Sequence, residues 1–128
     1  MNILIIEDDK LTSFSLKHVM ESWGHNVDVS ENAEEGMNMI NEGKFDIVFC
    51  DIMMPGISGL SLLSILRTVH LVKTPVIAMS VLNDQSLKDA AFQAGANDFL
   101  HKPFSTDSLE EKLKKFEHGL PTESGNKK

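Results

Sequence analysis

Ile47-Val48-Phe49-Cys50-Asp51-Ile52-Met53-Met54-Pro55-Gly56 carries an unbroken apolar run into one carboxylate and then into a proline-glycine loop. Four apolar residues without polar alternation read as a strand buried on both faces, and such strands belong to parallel sheets covered by helices. In those sheets, ligands and chemistry gather at the carboxyl ends of the strands. Asp51 stands at that edge, before a loop that continues neither strand nor helix, so it is a candidate for function.

The rest of the chain repeats the pattern. Asn2 to Ile6 is a second apolar strand and ends in Glu7, Asp8 and Asp9. Leu16, Val19, Met20 and Trp23 then recur at helical spacing, predicting a helix from about Asp9 to Trp23 with a stop at Gly24. Val27-Asp28-Val29 alternates like an edge strand, and Asn32 with Glu35 gives the reciprocal capping pattern of a second helix. Leu60, Leu63 and Leu66 mark the helix after Asp51. Pro75 to Met79 is a strand ending at Ser80, and Asn83 and Asp84 can cap the helix that carries Leu87, Ala91 and Ala94 and closes at Gly95. Asp98-Phe99-Leu100 is a brief strand ending at His101-Lys102-Pro103. Phe104 and Leu109 bracket Ser105 as a hydrophobic staple at the start of a last helix. His18 and His25 read as solvated surface, and His70 stands alone.

Five strands alternating with five helices predict a doubly wound α/β fold: a five-stranded parallel sheet, order 2-1-3-4-5, flavodoxin-like. Residues 1–118 form the domain, and 119–128, without apolar periodicity, read as a flexible tail or linker remnant. A chain of 128 residues with 41% hydrophobic and 24% charged residues suits one soluble domain. The net charge of -7 argues against nucleic-acid or anionic-membrane binding by this domain. With no apolar stretch long enough to span a bilayer and no basic start of a secretory signal, the expected location is cytoplasmic. Cys50, the single cysteine, reads as a small core residue.

The predicted strand order sets Glu7 and Asp8 beside Asp51, with Ser80 and Lys102 along the same edge. Three carboxylates in one crevice repel one another unless a cation joins them. An oxygen-only ligand set favours a hard ion such as Mg2+. Lys102 and Ser80, with the metal, can surround a tetrahedral dianion on Asp51, which suits phosphoryl transfer to a carboxylate. In this reading Asp51 is the nucleophile, Asp8 and Glu7 hold the metal, and Lys102 pairs with a phosphate oxygen. Taken singly, each has a plain role: Asp8 or Asp9 as a helix cap, Ser80 as a strand-end hydroxyl, Lys102 as a solvated charge.

Ile5-Ile6-Glu7-Asp8-Asp9, Asp51 to Gly59, Ala78-Met79-Ser80 and Gly95 to Phe104 together resemble the receiver domain of bacterial two-component response regulators, in the form of the chemotaxis regulators. The resemblance covers roughly Asn2 to Glu117. It implies that Asp51 is phosphorylated from a sensor histidine kinase or histidine phosphotransfer protein, and that Glu7, Asp8, Asp51 and the Met53 carbonyl bind Mg2+. It further implies a switch pair, Ser80 and Phe99, and a cis bond before Pro103. Phosphate on Asp51 would draw the Ser80 hydroxyl toward it, let Phe99 turn inward from the surface, and reshape the face of helix 4, strand 5 and helix 5. The domain would be a phosphoacceptor that assists its own phosphorylation and dephosphorylation, not an enzyme acting on a separate substrate. It would be a monomer or a phosphorylation-dependent dimer acting on an output protein or domain that the sequence does not identify.

The sequence departs from the family pattern in three places. Val81 is bulkier than the alanine or glycine common after the switch hydroxyl and narrows the route to Asp51. Met53 and Leu82 are apolar and do not position an attacking water, which predicts a slowly hydrolysing phosphoaspartate. Phe99 replaces the commoner tyrosine. Two other readings stand beside the switch. A phosphorylation-independent interaction module on this fold is weakened by the joint presence of Asp8, Asp51, Ser80 and Lys102. An aspartyl-phosphate hydrolase of the haloacid-dehalogenase type needs an Asp-x-Asp after the first strand, which Glu7-Asp8-Asp9 does not supply.

Overall fold

Parallel pairing fixes the architecture. In the computed structural model, which describes residues 1–54 and 56–117, the strands are β1 (Asn2–Ile6), β2 (Asn26–Ser30), β3 (Ile47–Asp51), β4 (Val76–Ser80) and β5 (Asp98–His101). They form one five-stranded sheet in the order β2-β1-β3-β4-β5, all pairs parallel. The helices are α1 (Lys10–Ser22), α2 (Ala33–Asn41), α3 (Gly59–Thr68), α4 (Gln85–Ala94) and α5 (Thr106–Lys114). The tail expected over residues 119–128 lies outside the described residues, as does residue 118.

Side-chain alternation along buried strands sends neighbours to opposite faces, and the two halves of the core follow from it. Leu4, Ile6, Val48, Cys50 and Ala78 meet α2, α3 and α4 through Ile40, Leu62, Leu66 and Ala91. Ile3, Ile5, Phe49, Ile77 and Met79 meet α1 and α5 through Leu16, Met20, Leu109 and Leu113. Both faces are dry. This is why the β3 run needed no polar alternation.

Local signals set most helix starts. Asp9, Asn32, Ser58, Asp84 and Ser105 each cap a helix by accepting a bond from a backbone N–H two or three residues on. The reciprocal box expected at Asn32 is only half formed: Asn32 Oδ1 accepts from the Glu35 N–H at 2.8 Å, while the Asn32 N–H turns to Ser30 Oγ. The buried face of α3 is also shifted, with Leu62 in the core and Leu60 only partly covered. His25 is not solvated. Its ring is largely covered beside the amino terminus and Glu117, and burial lowers its pKa.

Three glycines sit where a Cβ would come within 3.0 Å of a neighbour: Gly36 against the Ile6 side chain, Gly59 and Gly95. A Cβ on Gly59 would lie 2.5 Å from both the Asp51 carbonyl oxygen and Ile52 Cα, so only glycine lets α3 begin against the end of β3. Gly95 closes α4 at φ +119, over the Arg67 side chain. The Arg67 guanidinium reaches the carbonyls of Gly95, Val72 and Thr74 and the Asn97 side chain, joining α3 to the loops at the far edge of the sheet.

Candidate functional site: an acidic cleft at the carboxyl edge of the sheet

β1 and β3 are neighbours and end level, because Ile6 pairs with Cys50. Glu7, one residue past β1, therefore stands beside Asp51, the last residue of β3. Both are buried, at 1% and 4% exposure, while Asp8 is exposed. Carboxylate oxygens of Glu7, Asp8 and Asp51 lie within 4.8 Å of one another. Asp9, next in sequence, is drawn away: its carboxylate caps α1, accepting from the Thr12 N–H at 3.1 Å and from the Thr12 hydroxyl. Those bonds hold the Asp9 carboxyl below the usual range. All three consecutive acids line the cleft, but only Glu7 and Asp8 join Asp51 in the carboxylate cluster, while Asp9 caps the helix.

Lys102 enters from the far side of the sheet. Its N–H donates to the Ser80 carbonyl at 2.8 Å, continuing the β4–β5 ladder, and the next bond, to Pro103, is cis. The ammonium donates to Glu7 Oε1 at 2.6 Å and to Asp51 Oδ2 at 3.2 Å. Burial acts to lower the Lys102 pKa, but the Glu7 hydrogen bond and the charges of Asp51 and Glu7 outweigh it, and the pKa is raised. Glu7 is pushed up to about 7, first by burial and then by the neighbouring Asp51 carboxylate. One ammonium between two buried carboxylates leaves a residual negative charge. The second Asp51 oxygen accepts from the Met53 N–H at 2.8 Å, which aims the carboxylate into the cleft.

The cleft, about 410 Å³, is lined by Glu7, Asp8, Asp51, Met53, Val81 and Lys102 among others. Ser80 is not on that lining. It is fully buried, and its hydroxyl oxygen accepts from the Leu82 N–H at 3.0 Å. Phe99 is already inside, 6% exposed, packed on the α3 and α4 side of the sheet with the Lys88 ammonium 5.6 Å from its ring centroid. The expectation that this ring starts at the surface is thereby corrected: β5 alternation sends Phe99 to the α4 face and Leu100 to the α5 face. Cys50 is buried, and desolvation followed by the Asp51 charge pushes its thiol pKa up. It is inert packing.

The donor set suits a hard divalent ion: three carboxylates, no sulfur or imidazole, and a net negative charge that an ion would neutralise. Sequence reading missed His101, whose ring Nε2 lies 2.9 Å from the Val81 carbonyl; one histidine at the end of a strand carries no spacing signal. Among the described residues, no helix is long and apolar enough to cross a membrane.

Parallel order 2-1-3-4-5, an acidic trio at the β1 and β3 ends, and a lysine from the β5 end define a phosphoacceptor switch on a flavodoxin-like sheet. The chain belongs to the response regulator receiver domain family, whose model matches residues 3–114. It is similar to the transcriptional regulatory protein CrdR of Helicobacter pylori, 34% identical over 121 residues that make up 94% of this chain and 57% of that protein. A putative response regulator from Chloroflexus aurantiacus shares the structure at TM-score 0.83 and 34% identity, covering 88% of this chain and 93% of that one. The receiver domain of Ssk1 from Saccharomyces cerevisiae, crystallised with the histidine phosphotransfer protein Ypd1, shares the fold at TM-score 0.84 and 24% identity, covering 90% and 87%. The chain spans about half the length of the curated relatives it matches.

Proposed function

We propose that Asp51 accepts a phosphoryl group from the phosphohistidine of a sensor kinase or phosphotransfer protein, in the cytoplasm and with Mg2+. The observation that carries this reading is the Lys102 ammonium set between Glu7 and Asp51, beside a third carboxylate at the cleft mouth. An Asp51 carboxylate oxygen attacks phosphorus in line, the phosphorus–nitrogen bond breaks, and its electron pair stays on the departing imidazole. Glu7, Asp8, Asp51 and the Met53 carbonyl would hold the metal. Bound there, it would neutralise charge on the transferring group and align it. The Met53 N–H fixes one Asp51 oxygen, and Lys102 is placed to meet an oxygen of the incoming group.

Ser80 and Phe99 serve as the switch. The Ser80 hydroxyl leaves the Leu82 N–H for the phosphoryl group, and α4, β5 and α5 change their exposed face. Since Phe99 is already inward, what changes is its packing against α4 rather than a swing from solvent. The same residues assist loss of the phosphoryl group to water, and the modified face acts on an output domain or protein. Curated relatives named transcriptional regulators are about twice the length of the match, which supports an output outside the matched region. The test is incubation with Mg2+ and phosphoramidate followed by intact mass. One added phosphoryl group that Asp51→Asn abolishes is the expected result; an unmodified mass with small donors and with kinases would leave an interaction module.

A further inference from the structure

One peptide unit at the rim of the cleft is held from both ends. The Val81–Leu82 peptide gives its N–H to the Ser80 hydroxyl oxygen at 3.0 Å, and its carbonyl lies 2.9 Å from His101 Nε2. A carbonyl oxygen only accepts, so Nε2 carries the proton and His101 is the donor. The two anchors are themselves paired across the sheet, Ser80 opposite His101 at the ends of β4 and β5. Val81, a residue 62% exposed, lines the cleft beside Asp51 and Lys102.

We infer that His101 is a positioning residue that latches the β4–α4 loop in its unmodified arrangement and so sets how readily Asp51 takes up a phosphoryl group. The inference rests on the phosphoacceptor reading above. Ser80 lies off the cleft lining, so to meet a group on Asp51 its side chain must turn, which carries its oxygen away from the Leu82 N–H and leaves the His101 bond to hold that peptide in place. The bond spans an exposed rim, where a net hydrogen bond shifts an equilibrium by about threefold to tenfold. A group bound only by the rearranged loop has its apparent affinity reduced by the fraction of molecules in that arrangement, so removing the latch tightens binding.

The experiment measures affinity for beryllofluoride, a phosphoryl mimic, with saturating Mg2+ in the unsubstituted protein, His101→Leu and His101→Gln. Urea unfolding of each variant checks that the fold is kept, which the exposed position of His101 favours. His101→Leu is expected to bind about threefold to tenfold more tightly, with faster exchange of the Leu82 amide in the unliganded protein. His101→Gln, which keeps an N–H donor, is expected to restore both toward the unsubstituted values. Unchanged or weaker binding by His101→Leu, or equal changes in both variants, overturns the inference and leaves the phosphoacceptor reading intact. Absence of binding by the unsubstituted protein overturns both.

Discussion

Replacing Lys102 by methionine keeps the apolar stem and deletes the ammonium that lies 2.6 Å from Glu7 and 3.2 Å from Asp51. At an effective dielectric of about 20, those distances correspond to attractions of roughly 6 and 5 kcal/mol. Most of that is offset by the cost of burying the three charges, and removing one partner of a buried pair costs about 3–5 kcal/mol in practice. The loss depends on pH because Glu7 can take up a proton in place of the lysine. Its folded pKa is already raised to about 7 and rises further without the ammonium. A carboxyl raised in the folded state contributes stability that is fully present below its unfolded value, about 4.3, and lost as pH rises through the folded value. Lys102→Met is therefore expected to cost about 1 kcal/mol near pH 5 and about 3 kcal/mol or more near pH 8.5. Urea unfolding followed by the fluorescence of Trp23, the single tryptophan, measures both. At the higher pH, millimolar Mg2+ should return more stability to the variant than to the unsubstituted protein, since no ammonium competes for the carboxylates. Equal losses at the two pH values, or an Mg2+ effect no larger in the variant, would refute the electrostatic reasoning.

Gly59→Ala places a Cβ against backbone at the end of β3, and overpacking of that kind is expected to cost about 1–3 kcal/mol and to slow phosphorylation of Asp51, read by urea midpoint and phosphoramidate kinetics. Asp98 is opposed by burial but held below the usual carboxylate range by Lys112 and Lys115, each at 3.0 Å. That contribution is present above the unfolded pKa and lost as pH falls through the folded one, so Asp98→Asn should cost about 1–2 kcal/mol near pH 6, with the gap closing as pH falls below the ordinary carboxylate range. Arg67→Ala leaves the carbonyls of Val72, Thr74 and Gly95 without their shared donor, and a loss of about 2–4 kcal/mol in chemical unfolding is expected. Met53 and Leu82 offer an attacking water no hydrogen bond, so the phosphoaspartate should persist for minutes in Mg2+ buffer. Met53→Asn should hasten its decay by about threefold or more in a phosphate-release assay.

Glu7, Asp8, Asp51 and Lys102 were legible because two signals agree: apolar runs announce buried parallel strands, and charged residues at the ends of such runs must share an edge. The shared edge follows from topology, which the alternation of strands and helices dictates. Side-chain direction beyond a strand end does not follow from period. Nothing in Glu7-Asp8-Asp9 says which acid caps the helix; the Thr12 bonds decide that, and they form only once α1 starts at Lys10. Ser80 was placed at the right edge, yet its hydroxyl faces the Leu82 amide rather than the cleft, a choice made by a local turn. Phe99 lies on the α4 face because β5 continues the alternation to its end. Arg67 and His101 are silent for a common reason: apart from the Asn97 side chain beside Arg67, their partners are backbone carbonyls, which every residue has and no sequence displays.

The acceptor itself can be tested directly. Borohydride reduces an aspartyl phosphate to homoserine, so treatment with phosphoramidate and Mg2+, reduction, and peptide mapping mark the modified residue. Homoserine at position 51 alone, dependent on Mg2+ and absent from Asp51→Asn, is the predicted result. Homoserine at position 8 or elsewhere, or none at any position, would contradict the assignment of Asp51 as the phosphoacceptor.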